Sequence, residues 1–142
     1  MIIGYTSGVY DLFHIGHLNI LKRAKEMCDY LIVGVSTDDL VQSYKGKAPV
    51  IPFEERRTIV EAIRYVDEVV PQETRNKLEA LARLKFDIMF VGDDWKGSSL
   101  FLETEKEFEK KGVNIVYFPY TKGTSSTLLK EKLEKFDSLK SQ

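Results

Sequence analysis

Short runs of aliphatic and β-branched residues alternate with amphipathic stretches along the chain. Ile2–Thr6 predicts a strand, and after a loop containing Gly and Asp the spacing predicts a helix from about His17 to Met27, with Leu18, Ile20, Leu21 and Ala24 on its apolar face. Tyr30–Ser36 (YLIVGVS) is apolar throughout, the pattern of a strand covered on both faces. Thr37–Ile51 reads as a polar, lysine-bearing loop with room for a short helix at its start. Pro52 opens the next helix, where its missing N–H costs nothing, and Ile59, Val60 and Ile63 form that helix's apolar face. Val66–Val70 is a short strand stopped by Pro71. The alternation then repeats: a helix over Thr74–Leu84, strand Asp87–Val91, a helix over Leu100–Lys111 with Gly112 as its C-cap, strand Asn114–Phe118, and a last helix from about Ser125. The tail Asp137–Gln142 reads as frayed.

Five strands alternating with helices predict a Rossmann-like α/β sandwich, a five-stranded parallel sheet with helices on both faces. In such sheets ligands sit beyond the carboxyl ends of the strands, so the loops that follow the strands are where chemistry is sought.

Composition narrows the function. At 142 residues with 43% hydrophobic positions, residues 1–142 form one domain able to bury a core without disulfides or structural metal. Lys and Arg number 21 against 22 acidic residues, a net charge of −1, which excludes a polyanion-wrapping protein and leaves no nucleic-acid partner. The balance is uneven along the chain: residues 45–64 and 121–142 are net positive, the rest net negative. Cys28 is the only cysteine and reads as a small buried hydrophobe at a helix end. No leader pattern and no apolar run near the ~18 residues of a membrane span are present, so a cytoplasmic location without membrane attachment is expected.

Both histidines of the chain fall in one tetrapeptide, His14-Ile15-Gly16-His17, in the loop after the first strand. If the helix begins at about Ile15, the two imidazoles lie on one side of its first turn. Gly16 between them lets a ligand approach the backbone, and the turn's free N–H groups favour an anion. Two donors aimed at one point would stabilise phosphate oxygens on which charge builds. Half of a zinc site and two merely satisfied histidines are the competing readings; a four-ligand zinc site lacks further thiols and imidazoles.

Five stretches together resemble the small bacterial cytidylyltransferases of the nucleotidylyltransferase superfamily. They are GVYDLFHIGHLNILKRAK (8–25), KGK (45–47), EERRTIVEAIRYVDEVV (54–70), VGDDWKG (91–97) and, in part, YTKGTSST (120–127). The resemblance implies transfer of a cytidylyl group from CTP to a small phosphorylated alcohol, glycerol 3-phosphate foremost, with phosphocholine and phosphoethanolamine as related acceptors. The products would be pyrophosphate and a CDP-alcohol such as CDP-glycerol. Mg²⁺ would assist, no covalent intermediate would form, and the protein would be a homodimer with RYVDEV near the contact. An ATP-using adenylyltransferase of the same superfamily and a nucleotide-binding module without catalysis are the alternatives.

By that resemblance His14, His17, Lys45 and Lys47 are catalytic. Gly8, Val9, Tyr10, Asp11, Gly16, Arg56, Arg64 and Asp93 bind nucleotide, as do Tyr120, Thr121, Lys122, Gly123, Ser125, Ser126 and Thr127. Lys45, Asp94 and Trp95 contact the acceptor, and Asp11 and Asp94 are the metal-ligand candidates. Arg56 is the inward member of its pair and Arg57 the exposed one; Arg64 serves the phosphates, the subunit contact, or both, with an ion pair to Asp67 or Glu68 as a competing reading. As hydrogen-bond donors the histidines need not titrate, although a pKa near 6.5 would let either become cationic in the loaded site. Three positions depart from the family pattern: Val9 replaces a threonine, Tyr120 an arginine and Lys122 a glutamate. These departures bear on the acceptor and on the choice of base more than on the type of reaction.

Overall fold

The computed structural model describes residues 1–92, 96–119 and 133–134. Its elements run β1 (Ile3–Gly8), α1 (Ile15–Glu26), β2 (Tyr30–Ser36), α2 (Asp38–Lys45), α3 (Phe53–Glu61), β3 (Glu68–Gln72), α4 (Lys77–Leu84), β4 (Ile88–Gly92), α5 (Ser99–Lys110) and β5 (Asn114–Phe118). All strand pairs are parallel, in the order β3-β2-β1-β4-β5. The direction of winding reverses between β1 and β4, and the cleft outside their carboxyl ends is where such a sheet accepts ligand.

Period-2 alternation along the strands splits the core in two. Leu31, Val33 and Val35 of β2 join Leu21 and Ala24 of α1 and Val60 of α3 on one face, whereas Ile32 joins Tyr5, Ala80, Leu81, Phe101 and Phe108 on the face covered by α4 and α5. This is the expected three-layer sandwich. At Gly34 the second face is filled by a neighbour: an added Cβ would lie 2.5 Å from the Tyr5 hydroxyl oxygen. Cys28 ends α1 half-buried rather than fully buried, its thiol donating to the Ala24 carbonyl. No helix among the described residues is long and apolar enough to cross a membrane.

The amino edge of the sheet is fastened by aspartates. Asp29, Asp67 and Asp87 each precede a strand, and each carboxylate accepts a backbone N–H from a neighbouring segment, from Ile2, Leu31 and Ile3 respectively, at 2.7–2.8 Å. Part of the acidic balance therefore sits at the edge remote from the ligand cleft.

Several boundaries differ from the sequence reading. β1 runs on to Gly8, because Ser7 and Gly8 continue the ladder with β2. α1 starts at Ile15, not His17, since the histidines themselves cap it. The loop after β2 holds a full helix, α2, started by the Thr37 side chain on the Leu40 N–H and ended by Gly46 at φ 76°. Pro52 is the N-cap of α3 rather than its first residue, and Ile59 faces solvent. β3 lies two residues later than predicted and includes Pro71; an edge strand tolerates that missing N–H. Asn76 caps α4 and delays its start to Lys77. Lys111 is the C-cap of α5, with Gly112 following at φ 74°. β5 is as predicted. The final helix lies outside the described residues.

Candidate active site

The loop from β1 to α1 takes an uncommon path: Tyr10 and Leu12 both have left-handed backbone, at φ 56° and 48°. Such strain persists only where the surroundings enforce it, and three fastenings do so. The Tyr10 ring is buried in the α1–α3 core. Both oxygens of the buried Asp11 carboxylate accept backbone N–H groups, from Val50 at 2.8 Å and Ile51 at 2.9 Å. The Val9 carbonyl accepts from Arg56 Nη1 at 2.8 Å.

Arg56 is 1% exposed. Besides Val9, its guanidinium donates to the Ile51 and Ser36 carbonyls and to Asp38 Oδ1, at 2.6–2.8 Å. The inward orientation is as expected, but the role differs: the residue ties the β1–α1 loop, the end of β2, the start of α2 and the lead into α3 to one point, and it does not line the cleft.

His14 and His17 cap α1 reciprocally. His14 Nδ1 accepts the Gly16 N–H at 3.0 Å, His17 Nδ1 accepts the His14 N–H at 3.2 Å, and the rings stack at 4.0 Å. This is a capping box built from imidazoles, where Ser/Thr and Glu/Gln normally serve. An accepting Nδ1 places the proton of each neutral ring on Nε2, as a hydrogen-bond donor. Burial lowers the pKa of His14; burial, then the neighbouring His14, lowers that of His17 to about 4. Burial thus favours the neutral form of both rings, in keeping with hydrogen-bond donors that need not titrate.

The cleft beyond these residues has a volume of about 470 Å³, within the range of small-molecule sites. Of the sequence-predicted residues, Gly8, Val9, Tyr10, Asp11, His17 and Lys45 line it; His14 and Gly16 stand beside it at the helix start. Lys47 is exposed and is not part of the lining. Arg64 lies in the turn before β3, at the amino edge of the sheet, where its guanidinium sits 5.0 Å over the Tyr65 ring and donates to that hydroxyl. Arg64 is not part of the cleft lining in the single chain. The competing ion pair is absent too, because Asp67 pairs with Lys25 and Glu68 accepts from Tyr30. Asp93, Asp94, Trp95, Tyr120, Thr121, Lys122, Gly123, Ser125, Ser126 and Thr127 lie outside the described residues.

Sequence reading missed Ser36, Gln72, Arg75 and Lys77, which also line the cleft. Arg75 sits 4.4 Å over the Tyr44 ring and Lys77 Nζ donates to Ser7 Oγ at 2.8 Å. The signal was available: Ser36 and Gln72 end β2 and β3, and Arg75 and Lys77 follow β3, where the strand-end rule points, but an early helix start at Thr74 hid the last two. Asp11, the metal-ligand candidate among the described residues, lines the cleft with each carboxylate oxygen accepting one loop N–H; no group of three His, Cys, Asp or Glu among the described residues is arranged to hold an ion.

A chain from Bacillus subtilis (strain 168) named glycerol-3-phosphate cytidylyltransferase is 40% identical over 129 residues, 90% of this chain and 94% of that one. A Pyrococcus abyssi chain named FAD synthase is 38% identical over 116 residues, 81% of this chain and 78% of that one. The crystal structure of a lipopolysaccharide core biosynthesis protein from Thermoplasma volcanium superposes with a TM-score of 0.71 at 26% identity, covering 87% of this chain and 99% of that one. The model of the cytidylyltransferase-like family matches residues 5–132, nearly the whole sandwich with its histidine-capped helix, and the chain belongs to that family.

Proposed function

We propose that the protein transfers CMP from CTP to glycerol 3-phosphate, releasing pyrophosphate and forming CDP-glycerol. The observation that carries this reading is the pair of neutral imidazoles fixed as Nε2–H donors at the start of α1, beside a cleft that also holds Lys45, Arg75 and Lys77. CTP brings about four negative charges and the acceptor about two, so a site joining them needs cations and preorganised donors rather than a nucleophile.

In this mechanism a phosphate oxygen of the acceptor attacks the α-phosphorus in line, and the bond to the β-phosphate breaks. The histidine Nε2–H groups hold the oxygens on which charge accumulates. Because their Nδ1 atoms are fixed by backbone N–H groups, no reorganisation accompanies the reaction. Lys45 and the loop cations offset the approach of two anions. Mg²⁺ would supply further charge neutralisation to the triphosphate, and Asp11 is the described carboxylate at the cleft that would lie beside it. A homodimer and a cytoplasmic location are proposed on the strength of the family alone.

Pyrophosphate release with CTP and Mg²⁺ across glycerol 3-phosphate, phosphocholine and phosphoethanolamine tests the reading; release with glycerol 3-phosphate above the others is expected. The likeness to the FAD synthase supports the ATP-using alternative, so ATP with a flavin phosphate belongs in the same matrix. Faster turnover there would replace the CTP assignment, and tight CTP binding without release would leave a binding module.

A further inference from the structure

Lys45 and Lys47 stand on an exposed segment. From Gln42 to Ala48 every residue is exposed, and Gly46 ends α2 with left-handed backbone and open space around it. Lys45 nonetheless lines the cleft, whereas Lys47 does not. The last turn of α2 needs a fastening of its own to achieve this. The helix buries a single residue, Val41, and its other ties are at its start, where Thr37 caps it and Asp38 accepts from Arg56 Nη2 at 2.6 Å and from the Phe53 N–H at 3.2 Å.

Tyr44 supplies that fastening. Its ring meets the β3–α4 loop, with the Arg75 guanidinium 4.4 Å from the ring centroid and Lys45 Nζ 5.9 Å from the same ring. Both distances fall within the ~6 Å over which an aromatic face attracts a cation. Arg75 is a fixed point to dock on: the Asn76 N–H donates to Thr74 Oγ1 at 3.2 Å, and Asn76 in turn caps α4. Burial raises the Tyr44 pKa, so the ring is a neutral phenol near pH 7. Two cations on this part of the cleft repel one another in the free protein. The negative face of the ring offsets that repulsion, so the pair is assembled in advance.

We propose that Tyr44 is a positioning residue: docked on Arg75, its ring fixes the carboxyl end of α2 so that Lys45 is held at the cleft before substrate arrives. It acts through Lys45 and touches no reacting atom. Its consequence for turnover rests on the transfer reaction proposed above. Tyr44→Leu keeps apolar bulk and loses the π face, whereas Tyr44→Phe keeps both and loses only the hydroxyl, so the two variants separate attraction for cations from packing.

Limited proteolysis and kinetics together test this. Trypsin cuts after lysine where a segment opens, so the native wild type should be cut slowly after Lys45 and Lys47. Tyr44→Leu and Arg75→Met, which break the contact from either side, should be cut there about tenfold faster, with the thermal midpoint of unfolding unchanged. Tyr44→Phe should be cut at the wild-type rate. In pyrophosphate release Tyr44→Leu should lose about tenfold in kcat/KM, and Tyr44→Phe less than about twofold. Because Tyr44 acts through Lys45, Tyr44→Leu should cost less than about twofold when made in Lys45→Ala, whereas a purely structural residue would cost the same in both backgrounds. Should Tyr44→Leu fail to fold, or Lys45→Ala prove too slow to assay, Arg75→Met decides: faster cleavage supports the inference and wild-type cleavage overturns it. Cleavage of Tyr44→Leu at the wild-type rate, equal damage by Tyr44→Phe and Tyr44→Leu, an undiminished loss in Lys45→Ala, or faster cleavage with kcat/KM unchanged overturns the inference while leaving the transfer reaction standing. Faster cleavage of both Tyr44→Leu and Arg75→Met, with no turnover by any enzyme form, supports the positioning and fails the reaction.

Discussion

Replacing His17 by Gln separates the two tasks this residue performs. The Gln side-chain oxygen, at the third position of the helix, can still accept the His14 N–H, as Gln does in an ordinary capping box, but it cannot titrate or place an Nε2–H donor. In the unfolded chain an imidazole takes up its proton near pH 6.5, whereas folded His17 does so at about 4. Between these values the unfolded chain binds more protons, so acid reduces stability: the contribution is complete above pH 6.5 and lost as pH falls toward 4. A displacement of this size corresponds to at most about 3 kcal/mol, and about 2 kcal/mol over the interval from pH 7 to 4.5 after allowing for partial exposure of the ring. Urea unfolding of both proteins at pH 7 and 4.5 measures it: the wild type should lose about 2 kcal/mol more than His17→Gln, the difference removing the carboxylate titrations common to both. At pH 7.5 the variant should turn over about 10²–10³-fold more slowly, the scale of removing one preorganised donor. Wild-type activity should stay level as pH rises through 6.5, since the working imidazoles are already neutral. Equal acid sensitivity in the two proteins would refute the capping argument, and wild-type activity that falls as pH rises through 6.5 would show that an imidazolium is required.

Arg56→Met leaves the Val9, Ser36 and Ile51 carbonyls without their donor and releases Asp38, so a loss of about 3 kcal/mol in urea unfolding is expected, with reduced activity because the histidine loop is no longer fastened. Gly34→Ala forces a Cβ to within 2.5 Å of the Tyr5 hydroxyl oxygen and should cost about 1–3 kcal/mol. Adding Tyr5→Phe should recover part of that loss, a coupling that separate single variants would not show. Asp11→Asn retains one acceptor for the Val50 and Ile51 N–H groups and turns a donor toward the other, so about 1–3 kcal/mol should be lost, with activity falling alongside.

Where sequence reading fell short, the cause was local competition that periodicity does not register. The apolar spacing of α1 was legible, but its start was not, because histidines are uncommon caps and only the fold shows their Nδ1 atoms accepting backbone N–H groups. Pro71 was taken to end β3; it lies inside a strand whose edge position makes the missing N–H harmless, and edge position is a property of the sheet. Arg56 and Arg64 illustrate the same limit. Both stand in a stretch resembling phosphate-binding relatives, yet one is enclosed by carbonyls and the other lies at the amino edge of the strands.

The sequence by itself determined the layer architecture, the parallel sheet and the place of the histidine pair, because hydrophobic periodicity and motif spacing are local properties of the chain. It also determined the separation of charge in outline: cations were expected at the ligand edge, and Lys45 is there. Tertiary structure alone decided the protonation state of the histidines and the placing of Arg75 and Lys77, which come from a net acidic part of the chain yet reach the cleft, while Asp29, Asp67 and Asp87 fasten the opposite edge. The physical reason is that pKa and electrostatic field depend on burial and on neighbours distant in sequence, and those exist only once the strands have been placed side by side.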